Sequence, residues 1–111
     1  MDRDQFRAAM RQVAGAVTVV TTRGLNGEAR GVTATAVCSL TVDPPSVVAC
    51  INRDTWVGQF APESRNFCVN VLARDQQPIA ETFAGRTTLA AADRFQVGDW
   101  SDSRTGAPVL A

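Results

Sequence analysis

With 111 residues, 45% of them hydrophobic and 20% charged, the chain has the make-up of one globular domain, at the small end for a closed barrel. Eleven basic and eleven acidic residues cancel, which excludes the basic footprint of a nucleic-acid binder. All eleven cations are Arg, and Lys, His and Tyr are absent, so His-dependent catalysis and Lys Schiff-base chemistry are excluded within these residues.

The opening MDRDQFRAAM is polar and amphipathic. It lacks the apolar centre of a signal peptide, and no apolar run approaches membrane-spanning length, so a cytoplasmic location is expected. Asp2, with Gln5 three residues on, has capping-box spacing and predicts a helix whose Phe6, Ala9, Met10 and Val13 line one face, ending at Gly15. The β-branched run Ala16 to Thr22 predicts a first strand, and Asn26-Gly27 a hairpin turn. Ala29 to Leu40 then reads as a second strand, bulged near Gly31, and Ser46 to Asn52 as a third. Between them Asp43-Pro44-Pro45 makes a rigid corner, because proline fixes φ and lacks the N–H of a ladder.

Asp54 or Thr55 can cap a short helix in which Trp56 and Phe60, four apart, form a buried face. Asn66 to Leu72 alternates like a strand. Asp75 is placed to cap a helix through Phe83, with Pro78 in its first turn and Gly85 at its end. Phe95, Val97 and Trp100 offer a last apolar patch, and Pro108-Val109-Leu110 begins another strand. Cys38, Cys50 and Cys68 are odd in number and set among apolar neighbours, which predicts free, mostly buried thiols rather than disulfides or a metal site. Cys38, beside Val37 and Leu40, reads as a buried residue more than as a reactive nucleophile. The carboxylates do not pair, so no metal site is expected. Short strands with hairpin chemistry, two helices and no alternating strand-helix periodicity predict a mainly β, α+β domain built as an antiparallel barrel with flanking helices.

Three segments in order, AGAVTVVTTRG, then GVTATAVCSLTVDPPSVVACIN, then NFCVNVLARDQQPIAETFAG, resemble the flavin reductase-like family, whose fold is an FMN-binding Greek-key split barrel. The resemblance covers nearly all of Phe6 to Leu110. It implies an oxidoreductase that passes hydride from NADH or NADPH to FMN or FAD and supplies reduced flavin to a monooxygenase partner. It also implies a homodimer. Carried onto matching positions, the flavin ring and ribityl chain would lie against Thr33, Ala34, Thr35, Ala36, Cys38, Ser39 and Leu40. The phosphate would meet Asn52, Arg53 and Thr55, aided by a helix N-terminus. Phe83 and Arg86 match a further family segment near the flavin, although Phe83 also reads as core. Family members run on for about fifty more residues, the size of a fuller domain. The resemblance thus implies a C-terminal part that this chain lacks, including a Gly-Asp-His motif. Two other readings stay open: a noncatalytic flavin-binding or dimerisation module, or inactive fragment, and an oxidase or reductase of an organic substrate on the same barrel.

Overall fold

A computed structural model describes all 111 residues. Its elements are α1 (Arg3–Met10), β1 (Thr18–Arg23), β2 (Ala29–Ala34), β3 (Val37–Val42), β4 (Pro45–Ala49), α2 (Trp56–Ser64), β5 (Cys68–Val71), α3 (Gln77–Phe83), β6 (Trp100–Asp102) and β7 (Pro108–Leu110). Short 3-10 turns cover Arg74–Gln76 and Ala91–Gln96. The strands form three antiparallel ladders, β2-β1-β5, β3-β4 and β6-β7. The mixed α+β class is as expected, but the ladders stay separate and close no barrel.

The centre is β1. Its residues Thr18 to Thr22 are all buried, because both faces of the strand are covered. Val19 faces α3 and packs in a cluster with Ile79 and Phe83, onto which Leu72, Phe95, Val97, Trp100 and Leu110 close. Val20 lies on the α2 side with Val57, the one buried residue of that helix. Burying threonines on such a strand is tolerable only if their hydroxyls find acceptors. They do: Thr18 donates to the Ala34 carbonyl at 2.7 Å, Thr22 to the Asn66 carbonyl at 2.7 Å, and Thr21 to the Pro108 carbonyl. Asn70 completes the set by donating to the Val19 carbonyl at 3.0 Å and accepting from the Leu110 N–H at 2.9 Å.

Several local expectations hold. Asp2 and Gln5 form the capping box, Gly27 and Gly85 take positive φ at their turns, and Pro78 occupies the first turn of α3. Others need correction. The helix α1 stops at Met10, well before Gly15, and its apolar face is exposed, with Phe6, Met10 and Val13 uncovered. The expected long second strand breaks at Thr35-Ala36 into β2 and β3, and the register shift falls between Ser39 and Thr41 rather than at Gly31. Gly31 serves another purpose, since a Cβ there would lie 2.7 Å from the Phe83 ring. Asp75 does not cap α3, which begins from Gln76 after a 3-10 turn. Trp56 is half exposed and stacks obliquely on Phe60 at 5.7 Å, so the pair is not the buried face of α2.

The thiols are also corrected. Cys38 and Cys50 are exposed, and only Cys68 is half-buried. The reason is the β3-β4 ribbon, which has no third strand to cover it and leaves Leu40, Val42 and Val47 in solvent as well. Burial pushes the Cys68 thiol above its ordinary value. A raised pKa lowers the thiolate fraction at any given pH, and thiolate is the species that alkylates. Iodoacetamide at pH 8 is therefore expected to modify Cys38 and Cys50 before Cys68, as read by peptide mass spectrometry. In urea the order should vanish.

Candidate functional site

Two stretches matter, the β2-β3 junction and the loop into α2. At the junction, Thr33 turns toward α3 and its hydroxyl donates to the Ala80 carbonyl, which docks the helix. Ala34 ends β2 opposite Thr18. Thr35 and Ala36 are exposed in the gap between ladders, where the Val37 N–H reaches back to the Thr35 carbonyl at 3.0 Å and the Cys50 N–H reaches the Ala36 carbonyl at 2.8 Å. Cys38, Ser39 and Leu40 follow on the open ribbon, all exposed. The hydroxyls of Thr35 and Ser39 bond to nothing within the chain, in contrast to that of Thr33. Small side chains here leave backbone and hydroxyl groups open to a flat ligand.

In the second stretch most side chains build the loop itself. Asn52 accepts the Asp54 N–H at 2.9 Å, and its carbonyl accepts the Thr55 hydroxyl at 2.7 Å. Thr55 then caps α2 by accepting the Gly58 N–H at 3.0 Å. This local wiring follows from residue type, since Asn and Thr side chains compete for nearby backbone at helix starts. Arg53 and Arg86 are exposed and free of ion pairs, so both are available to an anion. Phe83 is buried, edge-on to Phe95 at 5.0 Å and to Trp100 at 5.4 Å, and its role is packing.

Thr55 and Phe83 meet at one cavity of about 230 Å³, whose wall also includes Arg30, Gly31, Trp56, Gly85 and Arg94. The fold thus brings the start of α2 and the end of α3 together across β2. The cavity contains neither Arg53 nor Arg86 nor the Thr35–Leu40 run. Arg30 and Arg94 escaped the sequence reading. Strand alternation could have put Arg30 on the α2 side of β2, but Arg94 sits in a polar stretch with no periodic signal. A separate apolar hollow of about 400 Å³ lies between Val20, Ile51, Val57, Ala61 and Phe67. No helix is long and apolar enough to cross a membrane, and no cluster of three or more metal-ligating side chains occurs.

Comparison with known proteins gives these features a context. The FMN reductase (NADH) RutF of an Enterobacter species is 43% identical over 110 residues, 99% of this chain and 65% of that protein. The reductase component of 4-hydroxyphenylacetate 3-monooxygenase from Salmonella typhimurium is 44% identical over 108 residues, 97% of this chain and 63% of that protein. The chain therefore spans less than two thirds of the length of these curated relatives. Among solved structures, the NADH:FAD oxidoreductase SgcE6 of Streptomyces globisporus superposes with a TM-score of 0.86 at 34% identity, over 99% of this chain and 64% of that one. Residues 10–111 match the family described as the flavin reductase like domain, and on that match the chain belongs to that family.

Proposed function

We propose that the chain carries the flavin-binding part of an NAD(P)H-dependent flavin reductase, which transfers hydride to FMN or FAD and supplies reduced flavin to a monooxygenase. The observation that carries this reading is the open Thr35–Leu40 run, where the Thr35 and Ser39 hydroxyls are unpaired in a chain of this family. The donor set fits a flavin: hydroxyls and backbone groups for ring edges, and two free arginines for a phosphate. When bound, the isoalloxazine supplies the hydride acceptance, and the protein is left to position and shield. In this assignment Thr33 and Ala34 hold the strand that presents Thr35, Ala36, Cys38, Ser39 and Leu40 to the ring. Asn52, Arg53 and Thr55 with Arg86 serve the phosphate end, and Phe83 supports the site from the core.

The exposed apolar residues of α1 and of the β3-β4 ribbon support a homodimer of split-barrel type, in which a second copy covers them. Titrating the purified chain with FMN, followed by flavin fluorescence and NADH absorbance in one cuvette, tests the proposal directly. Binding with catalytic NADH loss is the expected result. Binding without NADH loss would leave a flavin-holding module, and no binding by a folded chain would remove the site assignment.

Arg53→Ala offers a narrower test. Losing one charge-assisted bond to phosphate should weaken FMN binding by about 1–3 kcal/mol, because bonds to charged groups exceed neutral ones. Fluorescence titration measures it, and an unchanged affinity would take Arg53 out of the site.

A further inference from the structure

Two of the three thiols stand on the β3-β4 ribbon, Cys38 within β3 and Cys50 directly after β4, and both are exposed. The register places them together. Cys38 lies opposite Val48, and the ladder runs on past the end of β4, where the Cys50 N–H donates to the Ala36 carbonyl at 2.8 Å. Directly opposite residues share one face of a ribbon, as do residues two apart along a strand. Ala36, Cys38, Val48 and Cys50 therefore project from the same face. The hollow against α2 fixes this face independently: Ala49 and Ile51 line it, so Cys50 between them points away from the body. Little competes for the two sulfurs there, since Ala36 is a methyl group and Val48 is half-buried. Cys68 differs, being half-buried on β5 with its thiol 3.8 Å from the Asn70 Oδ1 that accepts it.

Cys38 and Cys50 are diagonal neighbours, and such pairs on an antiparallel ribbon sit about 7–8 Å apart. That is beyond the ~4.4–6.8 Å between Cα atoms that a disulfide spans without moving backbone. The pair therefore stays a dithiol. The same separation suits a bridging ion, because two metal–sulfur bonds of about 2.3 Å on opposite sides of a metal hold the sulfurs up to about 4.6 Å apart. Thiolate ligands select soft ions such as copper(I). The chain supplies no third metal-ligating side chain to this place, so the ion has to accept two ligands from the protein. Zinc(II), which takes four, is poorly served.

We propose that Cys38 and Cys50 form a two-thiolate site for a soft univalent cation of the copper(I) class, bridging the two strands of the ribbon. On binding, two S–H bonds break and two S–metal bonds form; the two protons leave to solvent and the ion keeps its oxidation state. The bridge ties together a ribbon that no third strand covers. This site does not depend on the flavin reading. Because Cys38 lies in the run assigned to the flavin ring, the test uses flavin-free chain.

Copper(I), kept reduced with ascorbate, is titrated into the full chain in competition with bicinchoninate, and native mass spectrometry counts the ions held per chain. One ion per chain is expected. Cys38→Ser and Cys50→Ser, both at exposed positions where the fold does not need the sulfur, should each weaken binding about 100-fold, the effect of losing one of two linked ligands. Cys68→Ser is the control and should leave the affinity as it is. In neutral to mildly acidic buffer the apparent affinity should rise with pH by two protons in the parent and by one in either ribbon variant. A loss under about ten-fold in either ribbon variant would overturn the site, as would an equal loss in Cys68→Ser or no binding by the parent. An ion shared between two chains would overturn it as well, since the thiols would then join copies rather than strands.

Discussion

Phe83→Ala is expected to remove about 3–5 kcal/mol of stability, the usual range for emptying a buried phenyl ring. The ring is only 1% exposed and closes the cluster formed with Val19 and Ile79. It also meets Phe95 and Trp100 edge-on, contacts that contribute beyond buried area. Collapse into the space is limited, since the opposite wall is Gly31 in a paired strand, with no side chain to move in. Against the ~5–15 kcal/mol typical of a whole domain, the loss is large. Urea unfolding with a fixed slope measures it, and Phe83→Leu, which keeps much of the volume, should lose markedly less. Equal losses for the two variants would mean that the ring's volume is not what the cluster needs.

Gly58→Ala is the second large effect, and its sign runs against helix propensity. In an open helix, Gly to Ala stabilises by about 1 kcal/mol. Here a Cβ would stand 2.3 Å from the Asn52 carbonyl oxygen and 2.7 Å from the Arg53 Cα. Both are backbone, so no flexible side chain can give way. Either α2 retreats or the loop from Asn52 to Thr55 is pushed out, and the Asn52 bonds to Asp54 and Thr55 are strained with it. The net cost should reach the upper part of the ~1–3 kcal/mol seen for overpacking. In the flavin reading, FMN affinity falls too, because the displaced loop carries the phosphate-end residues. Thermal unfolding and flavin titration together check it; a variant more stable than the parent would show that the close approach of α2 and the loop relaxes freely.

Local signals were the readable part of this chain. Asp2 with Gln5, Asn26-Gly27, Thr55, Pro78 and Gly85 each act through their own backbone or a neighbour's within a few residues, and the structure uses them as their chemistry suggests. What failed depended on distant contacts. The exposure of Cys38 and Leu40 comes from the absence of a third strand beside β3-β4, a fact of topology that hydrophobic patterning near those residues does not encode. The same holds for Trp56, which the i,i+4 pattern put inside. Arg30 lies over its ring, so a cation takes the place that core packing would have filled. At the candidate site, family resemblance singled out Thr35, Ser39, Arg53 and Arg86, and the structure leaves all four exposed. Arg94, brought to the cavity by a 3-10 turn late in the chain, had no local signature.

The polar ties of β1 bear on the order in which the chain assembles. The strand can pair with β2 as soon as the Asn26-Gly27 turn forms, a contact local in sequence and fast to close. Apart from Ala34, which takes the Thr18 hydroxyl, and Gly27, which takes one Arg23 nitrogen, its side-chain partners arrive much later. Thr21 waits for Pro108, 87 residues on, and Arg23 waits for Gly106 and Asp102. Asn70 cannot satisfy its carbonyl oxygen until Leu110 has docked. During synthesis the hairpin also stands with a valine- and threonine-rich edge unpaired until β5 has been made. Contacts this distant slow folding, and an open strand edge of that composition recruits other chains. Overexpression yield should thus respond strongly to changes near Gly106 to Leu110, where Ala107 and Pro108 are buried.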